Sequence, residues 1–100
     1  TPAEHVIKKL KSLGANIHIY DPYFASNTIF DIKIEEKLDD IINEVNASII
    51  LTAHKEFKEI EISFFKKMKT PILIDTRAIV EPSSAKQNKL IFRGLGRGYL

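Results

Sequence analysis

The sequence predicts an α/β fold: a Rossmann-like open, mostly parallel sheet with helices on both faces. Two observations carry that prediction. Three stretches repeat apolar residues at helical spacing, and four short runs are β-branched, alternating or wholly apolar. The two kinds alternate along the chain, and such alternation builds parallel sheets through right-handed crossovers.

The first stretch opens on Thr1-Pro2-Ala3-Glu4, the form of a capping box with Pro at the first helical position. Val6, Ile7, Leu10 and Leu13 follow at helical spacing, and Gly14 stands where a helix ends in the left-handed region. The spacing predicts a helix from Pro2 to Leu13. Asn16–Tyr20 alternates and reads as a strand that Asp21-Pro22 terminates. Residues 23–34 read as irregular, with a short extended piece at Ile29–Ile34. Glu35–Val45 carries Leu38, Ile41, Ile42 and Val45 on one helical face, with acids toward its N-terminal half.

Ser48–Thr52 is a short apolar run suited to a buried parallel strand. A helix over Glu56–Met68 is expected from Phe57, Ile60, Phe64, Phe65 and Met68. Pro71–Asp75 is the next strand, residues 81–89 are a loop or short helix, and Lys89–Phe92 is the last strand. Doubly wound folds normally open with a strand, usually a central one. Here a helix comes first. The sheet apparently lacks its first strand, expected in a longer parent protein or from a partner.

With 100 residues, 44% of them hydrophobic, the chain has the size and the apolar material of one domain, residues 1–100. It contains no cysteine, which removes disulfides, thiolate nucleophiles and the usual structural zinc sites, and fits a reducing cytosol. No apolar run approaches the ~18–20 residues that span a bilayer, so no membrane is expected. A net charge of +2 is too small to argue for nucleic acid. Past Glu81 no acid follows, while Lys86, Lys89, Arg93 and Arg97 do. That basic end could receive a phosphate or be an ordinary solvated surface.

Ligands of open α/β sheets lie beyond the carboxyl ends of the strands. Here that rule gathers Asp21, Tyr23, Thr52, His54, Asp75, Arg77 and Arg93 as a candidate crevice. Arg77 is the strongest candidate, because a guanidinium at a strand end can clamp a diphosphate with paired donors. The competing reading is an ion pair with Asp75 or Asp21. Asp75 could orient Arg77, cap a turn or act as a base. His54 with Glu56 offers two metal ligands and no third, so no metal site is expected. His5 and His18 read as structural or solvated. Gly94, Gly96 and Gly98 do not match GxGxxG, and no helix follows them. A haloacid-dehalogenase-like nucleophile would need a second acid at Arg77. A phospho-receiver would need an Asp at Thr52. GxSxG and the P-loop are absent. No catalytic set is present, and the residues alone leave open a substrate-binding part of a larger enzyme or a non-catalytic assembly module.

Four motifs in order resemble one family: Tyr20-Asp21-Pro22-Tyr23, Leu51-Thr52-Ala53-His54-Lys55-Glu56-Phe57, Ile74-Asp75-Thr76-Arg77 and Arg93-Gly94-Leu95-Gly96-Arg97-Gly98. They resemble the C-terminal, UDP-binding domain of the UDP-glucose/GDP-mannose dehydrogenase family, and within it the UDP-N-acetyl-D-mannosamine dehydrogenase branch. The resemblance implies an NAD-dependent parent enzyme that oxidises a sugar C6 alcohol to a carboxylate in two hydride transfers. It places NAD in a separate Rossmann domain and the catalytic cysteine outside this chain, which alone would be inactive. It gives Arg77, the Arg of I-D-x-R, a contact to the nucleotide sugar. It also implies that a strand and loop precede the Ser/Thr-Pro matched by Thr1-Pro2. The expected partners are a UDP-sugar, the remainder of the parent enzyme and further copies in a homo-oligomer. The expected setting is polysaccharide biosynthesis in the cytoplasm.

Overall fold

The N-terminal apolar stripe folds as helix α1, Pro2–Ser12, in a computed structural model that describes residues 2–24 and 28–95. Ile7 is buried and Val6 and Leu10 are half-buried, as the stripe requires. Leu13 falls beyond the last turn and is 70% exposed, so it drops out of the expected core. The helix ends in a Schellman motif: Gly14 N–H donates to Lys11 O at 3.0 Å and Ala15 N–H to Leu10 O at 3.0 Å. Gly14 has φ +91°, the conformation that motif needs at this position. The Thr1 half of the expected capping box lies outside the described residues. Glu4 pairs with Lys8, one turn on, at 2.8 Å. The hydrogen bond from Lys8, then its charge, holds the Glu4 carboxyl below the ordinary carboxylate range.

The chain forms two compact units, Thr1–Ile41 and Ile42–Leu100. The first holds α1 and three short strands: β1, Ile19–Tyr20; β2, Thr28–Ile29; and β3, Ile32–Glu35. Their order is β1-β3-β2, with β1 parallel and β2 antiparallel to β3. Regular pairing of β1 covers two residues, because only Ile19 and Tyr20 find partners, in Ile34 and Glu35. The short extended piece expected at Ile29–Ile34 forms as a hairpin of β2 and β3. Phe30 (φ 52°) and Asp31 (φ 65°) make its two-residue turn in the left-handed sense that matches strand twist. Ile34 is wholly buried. A 3₁₀ turn at Leu38–Asp40 follows, and Ile41 is buried.

The helix expected over Glu35–Val45 therefore does not form. Glu35 completes β3, and the rest makes 3₁₀ turns at Leu38–Asp40 and Ile42–Glu44. Asp39, Asp40 and Asn43 are weak helix formers, a residue type whose side chains can compete for backbone hydrogen bonds, and Ile41 and Ile42 are β-branched. The period of three to four that suggested a helix is shared by 3₁₀ turns.

The second unit contains a wholly parallel sheet of β4 (Ala47–Ile50), β5 (Ile72–Asp75) and β6 (Ile91–Gly94), in that order. Helix α2 is only Lys55–Lys58, and a 3₁₀ segment spans Ile62–Lys67. The single helix expected over 56–68 breaks at Glu61, whose backbone is extended (φ −61°, ψ 131°). Its stripe was nonetheless right as a core: Phe65 and Met68 are buried, and Phe57, Ile60 and Phe64 pack against them. Helix α3, Pro82–Gln87, fills the segment read as a loop or short helix. It too ends in a Schellman motif, Lys89 N–H to Lys86 O (2.9 Å) and Leu90 N–H to Ala85 O (3.0 Å), with Lys89 at φ 59°.

In-register residues of parallel strands share a face. Ser48, Leu73 and Phe92 form one row, and Ile50, Asp75 and Gly94 the next. Leu73, at 0% exposure, sits centrally among Ile42, Ile50, Phe65, Met68, Val80, Ala85 and Leu90. The opposite face presents the rows Ala47–Ile72–Ile91 and Ile49–Ile74–Arg93. The fold class is thus α/β with mostly parallel strands, arranged as two three-stranded sheets.

Candidate functional site

In the second unit, the carboxyl ends of β4 and β5 bring Ile50 and Leu51 together with Thr76 and Arg77 around one turn. That turn is organised by Asp75, the last residue of β5. Asp75 is wholly buried, and both of its carboxylate oxygens accept backbone hydrogen bonds. Oδ1 accepts from Arg77 N–H at 3.0 Å and Oδ2 from Val80 N–H at 2.7 Å. Its own carbonyl accepts Leu95 N–H at 2.9 Å, which ties the end of β6 to the same point. Turn capping is therefore the role the structure gives Asp75. Buried with both oxygens engaged, it shapes the loop rather than facing a solvent-borne ligand.

Thr76 fastens the turn to the neighbouring strand. Its N–H (3.1 Å) and its hydroxyl (2.7 Å) both donate to Ile50 O. The sequence draws no attention to Thr76; a hydroxyl residue directly after a strand-ending Asp is the signal that was available. Ala78 takes φ 58°, so the chain doubles back between the two residues that Asp75 holds.

Arg77 is thereby fixed at the backbone and left exposed at the guanidinium. Nη1 reaches Leu51 O at 3.5 Å, a long contact at the end of β4. Among the described residues no carboxylate lies within ion-pair distance of it. The ion pair with Asp75, one reading of the sequence, is not formed, because the carboxylate is spent on backbone N–H groups. What remains is a fork of charged donors on a rigid turn, suited to a phosphate or carboxylate.

The other candidates are placed less centrally. Thr52 is half-buried in the bend after β4. His54 precedes α2, its carbonyl accepting Phe57 N–H at 3.0 Å and its ring lying edge-on to Phe57 at 5.3 Å. Arg93 lies within β6, opposite Ile74, and turns its Nη1 onto Phe92 O at 2.8 Å. It is exposed and one residue short of the strand end. Gly96, Arg97 and Gly98 lie outside the described residues. A shallow groove of about 320 Å³ opens elsewhere in this unit, floored by Ile60, Ile62 and Ile79. Its lining also carries Glu59, Glu61 and Glu81 against the single cation Lys58, a net negative balance unsuited to a phosphate.

In the first unit, Asp21 Oδ1 accepts Tyr23 N–H at 2.9 Å, an Asx turn directly after β1. Tyr23 follows with 68% exposure. His18 Nδ1 lies 3.1 Å from Glu35 Oε2, joining the approach to β1 to the end of β3, in keeping with its structural reading. His5 is exposed on α1.

These features define a class of protein: an α/β domain whose polar groups collect at parallel strand ends, with an exposed guanidinium on a hydrogen-bonded turn. The sequence makes the assignment narrower. Residues 1–82 match the family described as UDP-glucose/GDP-mannose dehydrogenase family, UDP binding domain, and the chain belongs to that family. It is 29% identical over 99 residues to a UDP-N-acetyl-D-mannosamine dehydrogenase of Pyrococcus horikoshii, covering 98% of this chain and 21% of that protein. It is 31% identical over 102 residues to a protein of the same name from Methanococcus maripaludis, covering 98% and 23%. To a UDP-glucose 6-dehydrogenase of Rhizobium meliloti it is 30% identical over 104 residues, covering 97% and 23%. The chain thus spans about a fifth of the length of these relatives.

Proposed function

We propose that these 100 residues are the nucleotide-sugar-binding part of an NAD-dependent UDP-sugar 6-dehydrogenase, acting on UDP-N-acetyl-D-mannosamine. The relatives' names support the reaction class. Both sugar names occur among them at about 30% identity, so the sugar rests on the motif wording alone. Oxidising a C6 alcohol to a carboxylate removes four electrons, as two hydrides delivered to NAD. The residues that bind NAD and perform the transfers belong, in this reading, to the rest of a cytosolic, homo-oligomeric parent. This chain supplies binding and orientation.

The observation that carries the reading is Arg77: an exposed guanidinium without a carboxylate partner among the described residues, on a turn locked by Asp75. A diphosphate is the group of a UDP-sugar that such a fork holds best. Thr52 and Arg93 are secondary contacts in the same unit.

Arg77→Ala in the full-length enzyme is expected to raise KM for the nucleotide sugar while the protein keeps its Tm. Losing a hydrogen bond to a charged group removes about 1.5–3 kcal/mol, a rise of about 10- to 100-fold. Arg77→Lys should recover part of the loss, because charge returns without the fork. Unchanged kinetics in Arg77→Ala would remove Arg77 from the site and leave the rival reading, an assembly module without a substrate role.

A further inference from the structure

Glu61 and Lys67 stand at the two ends of one row on the surface of the second unit. The Ile62–Lys67 segment is a 3₁₀ helix with Glu61 at its N-cap. Side chains three residues apart on such a helix eclipse. Glu61, Phe64 and Lys67 therefore share a face: an acid, an aromatic ring and a base, in that order. Phe64 N–H donates to Glu61 O at 2.9 Å, and Lys67 Nζ lies 5.1 Å from the Phe64 ring centroid, so both steps of the row are in place. Glu61 and Lys67 are exposed and Phe64 is half-buried.

At the ~2.0 Å rise of a 3₁₀ helix, the ends of the row stand about 12 Å apart. That exceeds ion-pair reach and the ~8 Å screening length at physiological salt. Among the described residues no cation lies within ion-pair distance of Glu61, and no carboxylate within ion-pair distance of Lys67. The surroundings enlarge the contrast. At the acidic end, the groove that Glu61 lines also carries Glu59 and Glu81 against Lys58. At the basic end, Lys66 and Lys69 are exposed beside Lys67.

A row of this kind is complementary to itself when turned end for end. A half-turn about an axis through Phe64 lays acid on base at one end, base on acid at the other, and ring against ring between them. An isologous contact has this property: where one residue meets a second, the second meets the first. We propose that this face of the second unit is a two-fold contact between copies of this chain, in which Glu61 of each copy pairs with Lys67 of the other across the Phe64 rings. The half-buried Ile60, Ile62 and Ile79 of the groove supply apolar area beside the Glu61 end. The contact rests on the homo-oligomeric part of the functional reading and needs no substrate.

Charge exchange in the full-length protein tests the pairing. Glu61→Lys alone and Lys67→Glu alone each set like charges together twice, and each should weaken self-association in sedimentation by about 10-fold or more. The variant carrying both changes should associate as the wild type does, and so should an equimolar mixture of the two single variants. Association that is unchanged in the single variants, or that neither combination restores, overturns the proposal. Zero-length carbodiimide coupling supplies a measurement on the unaltered protein. An amide between Glu61 and Lys67 should appear in the covalent dimer, and the length of the row bars it within one chain. Its absence overturns the proposal even where a variant fails to fold. A coupled dimer that binds no UDP-sugar would sink the substrate reading alone, and an uncoupled protein whose KM depends on Arg77 would sink this one alone.

Discussion

Asp75 turns each of its two carboxylate oxygens to a backbone N–H group, at Arg77 and at Val80. Asp75→Ala leaves the buried Val80 N–H and the part-buried Arg77 N–H without their acceptor, at about 1–3 kcal/mol for a fully buried donor. We expect a loss of about 3 kcal/mol, seen as a Tm lower by about 10–20 °C. Asp75→Asn should fall between, since one of its two acceptors becomes a donor facing a donor. A Tm unchanged in Asp75→Ala would refute the clasp. The sequence showed that an Asp closing a strand before Thr76-Arg77 could cap a turn. It could not show that Val80, five residues on, was the second donor, because that depends on the reversal at Ala78. Nor could it decide whether Arg77 formed an ion pair with an acid such as Asp75 or Asp21, because for Asp75 that depended on which backbone groups its carboxylate held. At Glu4 the pairing with Lys8 depresses the folded-state pKa. Its contribution is therefore present above the unfolded-state pKa and fades as pH falls through the folded one.

Helices α1 and α3 end in the same Schellman geometry with different residues at the left-handed position, Gly14 and Lys89. A side chain in that region costs about 1–2 kcal/mol, partly offset in any glycine variant by the entropy of its unfolded chain. Lys89→Gly should thus stabilise the protein by about 0.5–1 kcal/mol, read from the midpoint of urea unfolding at constant slope. A midpoint that does not rise would show that Lys89 is held there at no cost. Legibility at this level followed the strength of the signal. Gly14 announced the end of α1, while nothing in Asn88-Lys89-Leu90 announced an identical end for α3. The alternation Ile32-Lys33-Ile34-Glu35 was a strand signal read as an extended piece up to Ile34, with Glu35 given to an acidic helix whose start it also suited. The runs 35–45 and 56–68 showed a correct core stripe and an incorrect helix type, because spacing reports which residues face inward and not how tightly the backbone winds.

At the level of the whole chain, the sequence indicated the α/β class and the parallel strands, and the structure bears both out. It did not show that the strands would divide into two sheets. Periodicity identifies a strand, whereas its neighbours depend on pairings distant in the chain. In the second unit the convergence point is Leu73, wholly buried on the central strand. Leu73→Ala should cost about 3 kcal/mol, a large part of the ~5–15 kcal/mol that holds a domain folded. Amide exchange should then accelerate together at Ile50, Ala85 and Leu90, which share its cluster. Acceleration confined to β5 would mean that the cluster does not act as one core.

The buried clasp at Asp75 has a consequence for genetics. A variant library selected for turnover would score position 75 and position 77 alike, because an untethered loop misplaces the guanidinium as surely as deleting it. Only a parallel measurement of protein abundance would separate them, with position 75 depleted in both screens and position 77 in the first alone.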